Sequence, residues 1–194
     1  KPKLMIVGDY YFYNGKKFKY SKNLRQIRSK IGNPKTLKTS YPCKNNRSEL
    51  HRIYRNKKYH LEEKTKLVDF NHPLYVLFSS GTTGLPKCIT HGHGGSLLQH
   101  LKELSLHTNV KREDKMFFLT TCGWMMWNWT VSTLILASSL VLYDGSPFYP
   151  SKNRVSHLAK KSNSNMLGAW AKIYEVRQNN YNPKKKNILP FIKC

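Results

Sequence analysis

The 194 residues carry 34 Lys and Arg against 10 Asp and Glu, a net charge of +24, and 39% of them are apolar. With 12 Tyr, 8 Phe and 4 Trp, the composition excludes a wholly disordered chain and suffices for one domain with a real core. Between residues 67 and 150, Lys87, Lys102, Lys111, Arg112 and Lys115 balance Asp69, Glu103, Glu113, Asp114 and Asp144, so the excess charge lies in the two flanks.

In chain order, residues 4–20 read as a hairpin, two Tyr/Phe-rich runs around Asn14-Gly15, the strongest short turn signal. A helix is expected over residues 24–31, then mostly loop to residue 66, with Pro34 and Pro42 as breakers. Leu74-Tyr75-Val76-Leu77-Phe78 is continuously apolar, the pattern of a fully buried parallel strand. A Gly/Ser/Thr loop follows over residues 79–87. Next comes a helix over residues 95–107, whose apolar face is Leu97, Leu98, Leu101 and Leu104. Residues 116–120 read as a strand, 124–137 as a buried helix and 140–143 as a third strand. Residues 155–161 read as a helix and 166–170 as a strand. Strands alternating with helices make this an α/β domain with a mostly parallel sheet and flanking helices. Residues 1–66 and 151–194 form basic, weakly patterned flanks around the centre at 67–150. The chain opens on Lys1, not Met, and reads as a piece of a longer protein.

The flanks are rich in Lys and Asn together, a bias that drift in an A+T-rich genome produces without selection for a polyanion partner. A neutral centre argues against sequence-specific nucleic-acid binding. Cys43, Cys88, Cys122 and Cys194 form no CxxC pair, so neither a disulfide framework nor a zinc site is indicated, and a reducing, cytosolic compartment is the natural reading. Residues 124–143 are too interrupted by Asn128, Thr130, Ser132, Thr133, Ser138 and Ser139 to span a membrane. His91, His93, His100 and His107 have no Cys or carboxylate to complete a ligand set, so no metal site is assigned.

The chemistry concentrates in Ser79-Ser80-Gly81-Thr82-Thr83-Gly84-Leu85-Pro86-Lys87. It follows a strand, where α/β folds place ligand loops. Gly81 and Gly84 allow close backbone approach. The hydroxyls of Ser79, Ser80, Thr82 and Thr83 are donors of the kind phosphate oxygens accept from, and Lys87 adds a point charge. The Walker pattern GxxxxGK[ST] is not satisfied.

This string resembles the phosphate-binding signature of the adenylate-forming enzymes, a superfamily that includes the acyl-CoA synthetases. Residues 70–74 (FNHPL), 99–103 (QHLKE), 120–129 (TTCGWMMWNW) and 140–147 (LVLYDGSP) are similar to its acetoacetate-activating branch. The resemblance implies that the chain is part of the large N-terminal domain of such an enzyme. It further implies that Ser79, Ser80, Gly81, Thr82, Thr83, Gly84 and Lys87 hold ATP phosphates. Acetoacetate would attack the α-phosphorus, Mg²⁺ would assist, and coenzyme A would displace AMP. Trp124 and Met125 are the acyl-pocket candidates, while Trp127 and Trp129 read as core. The family's adenine loop, ribose-binding Asp, magnesium-ligating Glu and C-terminal catalytic Lys are expected beyond residue 194.

The sequence departs from the pattern in three places, one of them Gly168-Ala169-Trp170-Ala171-Lys172, which matches the family's next strand only loosely. His91-Gly92-His93-Gly94-Gly95 stands where the family has His-Ser-Ala/Gly-Gly-Gly, and Ala137-Ser138-Ser139 lacks the Gly usual between helix and strand. The rival readings are another short-chain acyl-CoA synthetase and a truncated, non-catalytic relic acting at most as a basic binding module.

Overall fold

A computed structural model describes residues 2–39, 65–79, 84–171, 173 and 175. The chain divides into two compact units, residues 1–65 and 66–194.

In the first unit, β1 (Leu4–Gly8) pairs in parallel with β4 (Lys35–Thr39), from Leu4 opposite Lys35 to Gly8 opposite Thr39. Between them lie the antiparallel strands β2 (Tyr10–Tyr13) and β3 (Lys16–Lys19) and the helix α1 (Ser21–Ile31). The hairpin is therefore shorter than the sequence suggests. Asn14 and Gly15 do turn it, both at positive φ (49° and 74°), the conformation a two-residue turn needs to match strand twist. Leu4–Gly8 leaves the hairpin for the parallel pair instead. Helix α1 ends at Gly32, whose left-handed conformation returns its N–H to the Arg28 carbonyl. The strand β4 falls where loop was expected, because its value to the fold is pairing with β1, a contact no local pattern encodes. The expected loop over residues 40–64 lies outside the described residues.

The second unit begins with an antiparallel ribbon, β5 (Pro73–Ser79) with β6 (Lys87–Gly92). This corrects the expectation of a buried parallel strand at 74–78. The chain folds straight back after the loop, and Leu74, Val76 and Phe78 are exposed at 40%, 53% and 66%. Helix α2 (His93–Lys102) starts two residues before the expected boundary and passes into a π-helical turn at Glu103–His107. Of its expected apolar face, Leu104 is fully buried while Leu97 and Leu98 face outward.

The core surrounds a parallel sheet in the order β8 (Ser139–Leu140), β7 (Lys115–Phe118), β9 (Met166–Gly168). Alternation along β7 sends side chains to opposite faces. Phe117 and Leu119 pack with Val155, Ala159 and Ile173 beneath α4 (Arg154–Lys161). Met116 packs with Leu104, Val110 and Met166 on the other face, joined by Phe118, Trp129, Leu136 and Leu140. A strand covered on both faces needs no polar side, which is why Met116-Phe117-Phe118 is uniformly apolar. The expected helix over 124–137 is divided into α3 (Met125–Val131) and a 3-10 turn (Ser132–Leu136). Ala137 follows at φ 56°, in the left-handed region where the sequence lacks its glycine. Among the described residues no helix is long and apolar enough to cross a membrane.

Candidate functional site

The ribbon β5–β6 presents the loop. Ser79 and Lys87 pair directly opposite each other at its outer end, so the hydroxyl-bearing and cationic residues stand at the two ends of the connecting segment. Lys87 and Gly84 are exposed. Ser80, Gly81, Thr82 and Thr83 lie outside the described residues.

The inner end of the ribbon is tied to helix α2. Gly92 is the helix N-cap and no side chain caps the first turn. Its free N–H groups go to the turn before β5 instead: His93 N–H donates to the His72 carbonyl at 2.9 Å and Gly94 N–H to the Phe70 carbonyl at 2.8 Å. The Phe70 ring also packs so closely on Gly94 that an added Cβ would overlap it, so only glycine admits this approach. The FNHP and HGHGG strings, separate in the sequence, thus form one joint.

Beside this joint lies an open cavity of about 480 Å³, walled by apolar side chains including Phe70, Leu74, Leu97 and Ile135. His93, Ser96, His100 and Ser132 are its polar groups on the helical side. His100, 9% exposed, bonds through Nδ1 to Ser132 Oγ at 2.8 Å, and Ser132 Oγ lies 3.0 Å from the Asn128 carbonyl. A carbonyl only accepts, so the Ser132 proton goes to Asn128 and His100 donates from Nδ1. Burial, reinforced by nearby His91, pushes the His100 imidazolium below its ordinary pKa, which favours the neutral ring.

Trp124 and Met125 are not among the residues lining this cavity; they stand at the start of α3, exposed at 56% and 49%. Trp129 is a core residue, edge-on to Phe118 with ring centroids 5.7 Å apart. Among the described residues no group of three His, Cys, Asp or Glu is placed to hold a metal ion.

One polar network had no sequence signal. Asp114, 2% exposed, accepts from the Lys111 N–H at 2.7 Å and the Asn165 side-chain amide at 2.6 Å. Asn165 in turn accepts from the Lys115 N–H at 2.8 Å. These bonds join the start of β7 to the approach of β9 across 51 residues, and in sequence Asp114 is one charge among several.

Comparison with known proteins gives this arrangement its relatives. The AMP-binding enzyme family matches residues 1–188. The acetoacetyl-coenzyme A synthetase of Rhizobium meliloti (strain 1021) is 38% identical over 205 aligned residues, covering 97% of this chain and 30% of that protein. The acetoacetyl-CoA synthetase of Mus musculus is 52% identical over 107 residues, 55% of this chain and 16% of that protein. The solved acetoacetyl-CoA synthetase from Streptomyces lividans superposes with a TM-score of 0.86 at 31% identity, covering 100% of this chain and 30% of that one. The chain thus spans about 30% of the length of such relatives. With its ribbon and its doubly covered parallel sheet, the chain belongs to the AMP-binding enzyme family and has the fold of part of an adenylate-forming enzyme's N-terminal domain.

Proposed function

We propose that this chain is the phosphate-binding part of an ATP-dependent acid–thiol ligase that activates acetoacetate as an acyl-adenylate and passes it to coenzyme A. The observation that supports this most directly is the register of the ribbon, with Ser79 opposite Lys87 at the ends of the Gly/Ser/Thr loop. A hydroxyl and an ammonium held across such a loop suit a polyphosphate that leaves with growing negative charge. In this reading Ser79, Ser80, Gly81, Thr82, Thr83, Gly84 and Lys87 bind the ATP phosphates, and Trp124 and Met125 border the acyl group. Mg²⁺ would assist by neutralising charge on the phosphates, held by the glutamate that the resemblance expects beyond residue 194. Residues 67–150 are the motif-bearing core of the AMP-binding domain in this proposal. The basic stretches on either side are flanks without a specific nucleic-acid partner. The enzyme would act in the cytosol.

The test is a chimaera in which this chain replaces the matching 30% of the Streptomyces lividans protein. Acetoacetate-dependent exchange of pyrophosphate into ATP is expected, and Lys87→Ala should lower it by about 10²–10³, the effect of removing one donor aimed at developing charge. The isolated chain should show no exchange. A folded chimaera that ignores acetoacetate, or one in which Lys87→Ala leaves the rate within about threefold, equivalent to well under 1 kcal/mol, refutes the proposal.

A further inference from the structure

Among the described residues, the outer half of the β5–β6 ribbon has little to lean on. Val76 and Phe78 are exposed, as is every residue from Lys87 to Thr90. Its direction is therefore set at its base, where it meets helix α2. There the His72 carbonyl accepts twice from one residue, from the backbone N–H of His93 at 2.9 Å and from its ring Nδ1 at 2.8 Å. Since a carbonyl only accepts, Nδ1 carries the hydrogen of this bond. The His72 and His93 rings lie 5.5 Å apart, and Gly92 approaches the Asn71 backbone so closely that a Cβ there would come within 3.3 Å of it.

We propose that His93 is a positioning residue for Lys87: its imidazole, bonded to the His72 carbonyl, fixes the angle at which the ribbon leaves helix α2. This rests on the reading of Lys87 as a phosphate ligand. The lever is long. At strand rise the ribbon extends about 20 Å, so a tilt of about 5° at its base moves Lys87 by about 2 Å. Misplacement by about 1 Å at a reacting group is enough to cost about 100-fold in rate. The joint has backbone bonds of its own at His93 and Gly94, which hold the helix turn; the ring bond adds a second hydrogen bond to the same His72 carbonyl and so ties the side chain as well as the backbone of His93 to the base of the ribbon.

The experiment compares His93→Ala, His93→Asn and His93→Gln in the full chain. The Asn amide reproduces the donor at Nδ1, and the Gln amide the position of Nε2. Two quantities are read: amide exchange over β5 and β6, and affinity for inorganic pyrophosphate by titration. His93→Ala should speed exchange at the ribbon amides by about tenfold and leave β7 and β9 unchanged. It should also weaken pyrophosphate by about fivefold or more. His93→Asn should restore both quantities and His93→Gln neither. Unchanged ribbon exchange in His93→Ala overturns the inference. So does faster exchange with pyrophosphate affinity within about twofold of wild type, which leaves His93 a packing residue only. If the wild-type chain binds no pyrophosphate at about 10 mM, the phosphate reading of Lys87 falls and the positioning role falls with it. Exchange would still report in that case whether the ring holds the ribbon.

Discussion

Replacing Ala137 by glycine should stabilise the chain, against the usual sign of that change. Ala137 ends the 3-10 turn at φ 56° and ψ 25°, with its N–H on the Leu134 carbonyl at 3.0 Å. An L-residue in this region brings its Cβ close to the following carbonyl, at a cost of about 1–2 kcal/mol. Glycine removes that cost but loses more chain entropy on folding, about 0.4–1 kcal/mol. The Ala137 side chain is exposed, so deleting its methyl forfeits little packing. The balance is a gain of about 0.5–1 kcal/mol, or a rise of about 1–4 °C in melting temperature for a chain of this size. All 4 tryptophans (Trp124, Trp127, Trp129 and Trp170) lie in the second unit, so tryptophan fluorescence follows the unit that contains the change. Ala159→Gly, in the buried face of α4, is the control and should lose about 1 kcal/mol or more. A melting temperature for Ala137→Gly equal to or below wild type would refute the reasoning.

Asp114→Ala should cost about 2–4 kcal/mol in urea unfolding, because the Lys111 N–H and the Asn165 amide both lose a buried acceptor; a loss below about 1 kcal/mol would mean that the loop re-pairs them with water. His100 imposes a pH dependence of defined sign. Burial and His91 lower its folded pKa below the unfolded 6.5, so the unfolded chain binds the extra proton first. The His100 contribution is complete above the unfolded value and is lost as pH falls through it toward the folded value. His100→Asn keeps a donor for Ser132 without titrating, and should flatten the fall in stability between pH 7.5 and pH 5, about the range over which histidine charges. A slope identical to wild type would contradict the assignment.

The parts of the fold legible in the sequence are those whose cause is local. The Asn14-Gly15 turn follows from residues that tolerate positive φ, and helix α4 from apolar spacing at Val155 and Ala159. The gap at Ala137 was legible as a missing glycine because a left-handed residue is a local demand. What could not be read was pairing. Lys35–Thr39 has two lysines among five residues and no apolar alternation, yet it is a strand because β1 lies beside it. The Asp114–Asn165 bond joins residues 51 apart, and neither residue type announces a structural role. At the candidate site the loop was legible by composition and its anchorage was not. Phe70, His72, His93 and Gly94 come together only because the ribbon folds back on the start of α2.

The error at residues 74–78 has a physical content of its own. A run apolar at every position is the record of a strand covered on both faces, since exposure of one face would favour alternation. β7 obeys that rule: its neighbours bury Met116 to 2% and Phe117 to 0%. β5 carries the same kind of run, yet Leu74 and Phe78 stand at 40% and 66% exposure. The difference is in what surrounds each strand, not in the strands' own residues. Among the described residues, β7 finds a cover on each face while β5 does not. Hydrophobic pattern reports the burial a segment requires; the partner that supplies it, and whether the segment pairs in parallel or folds back on itself, are decided by residues elsewhere.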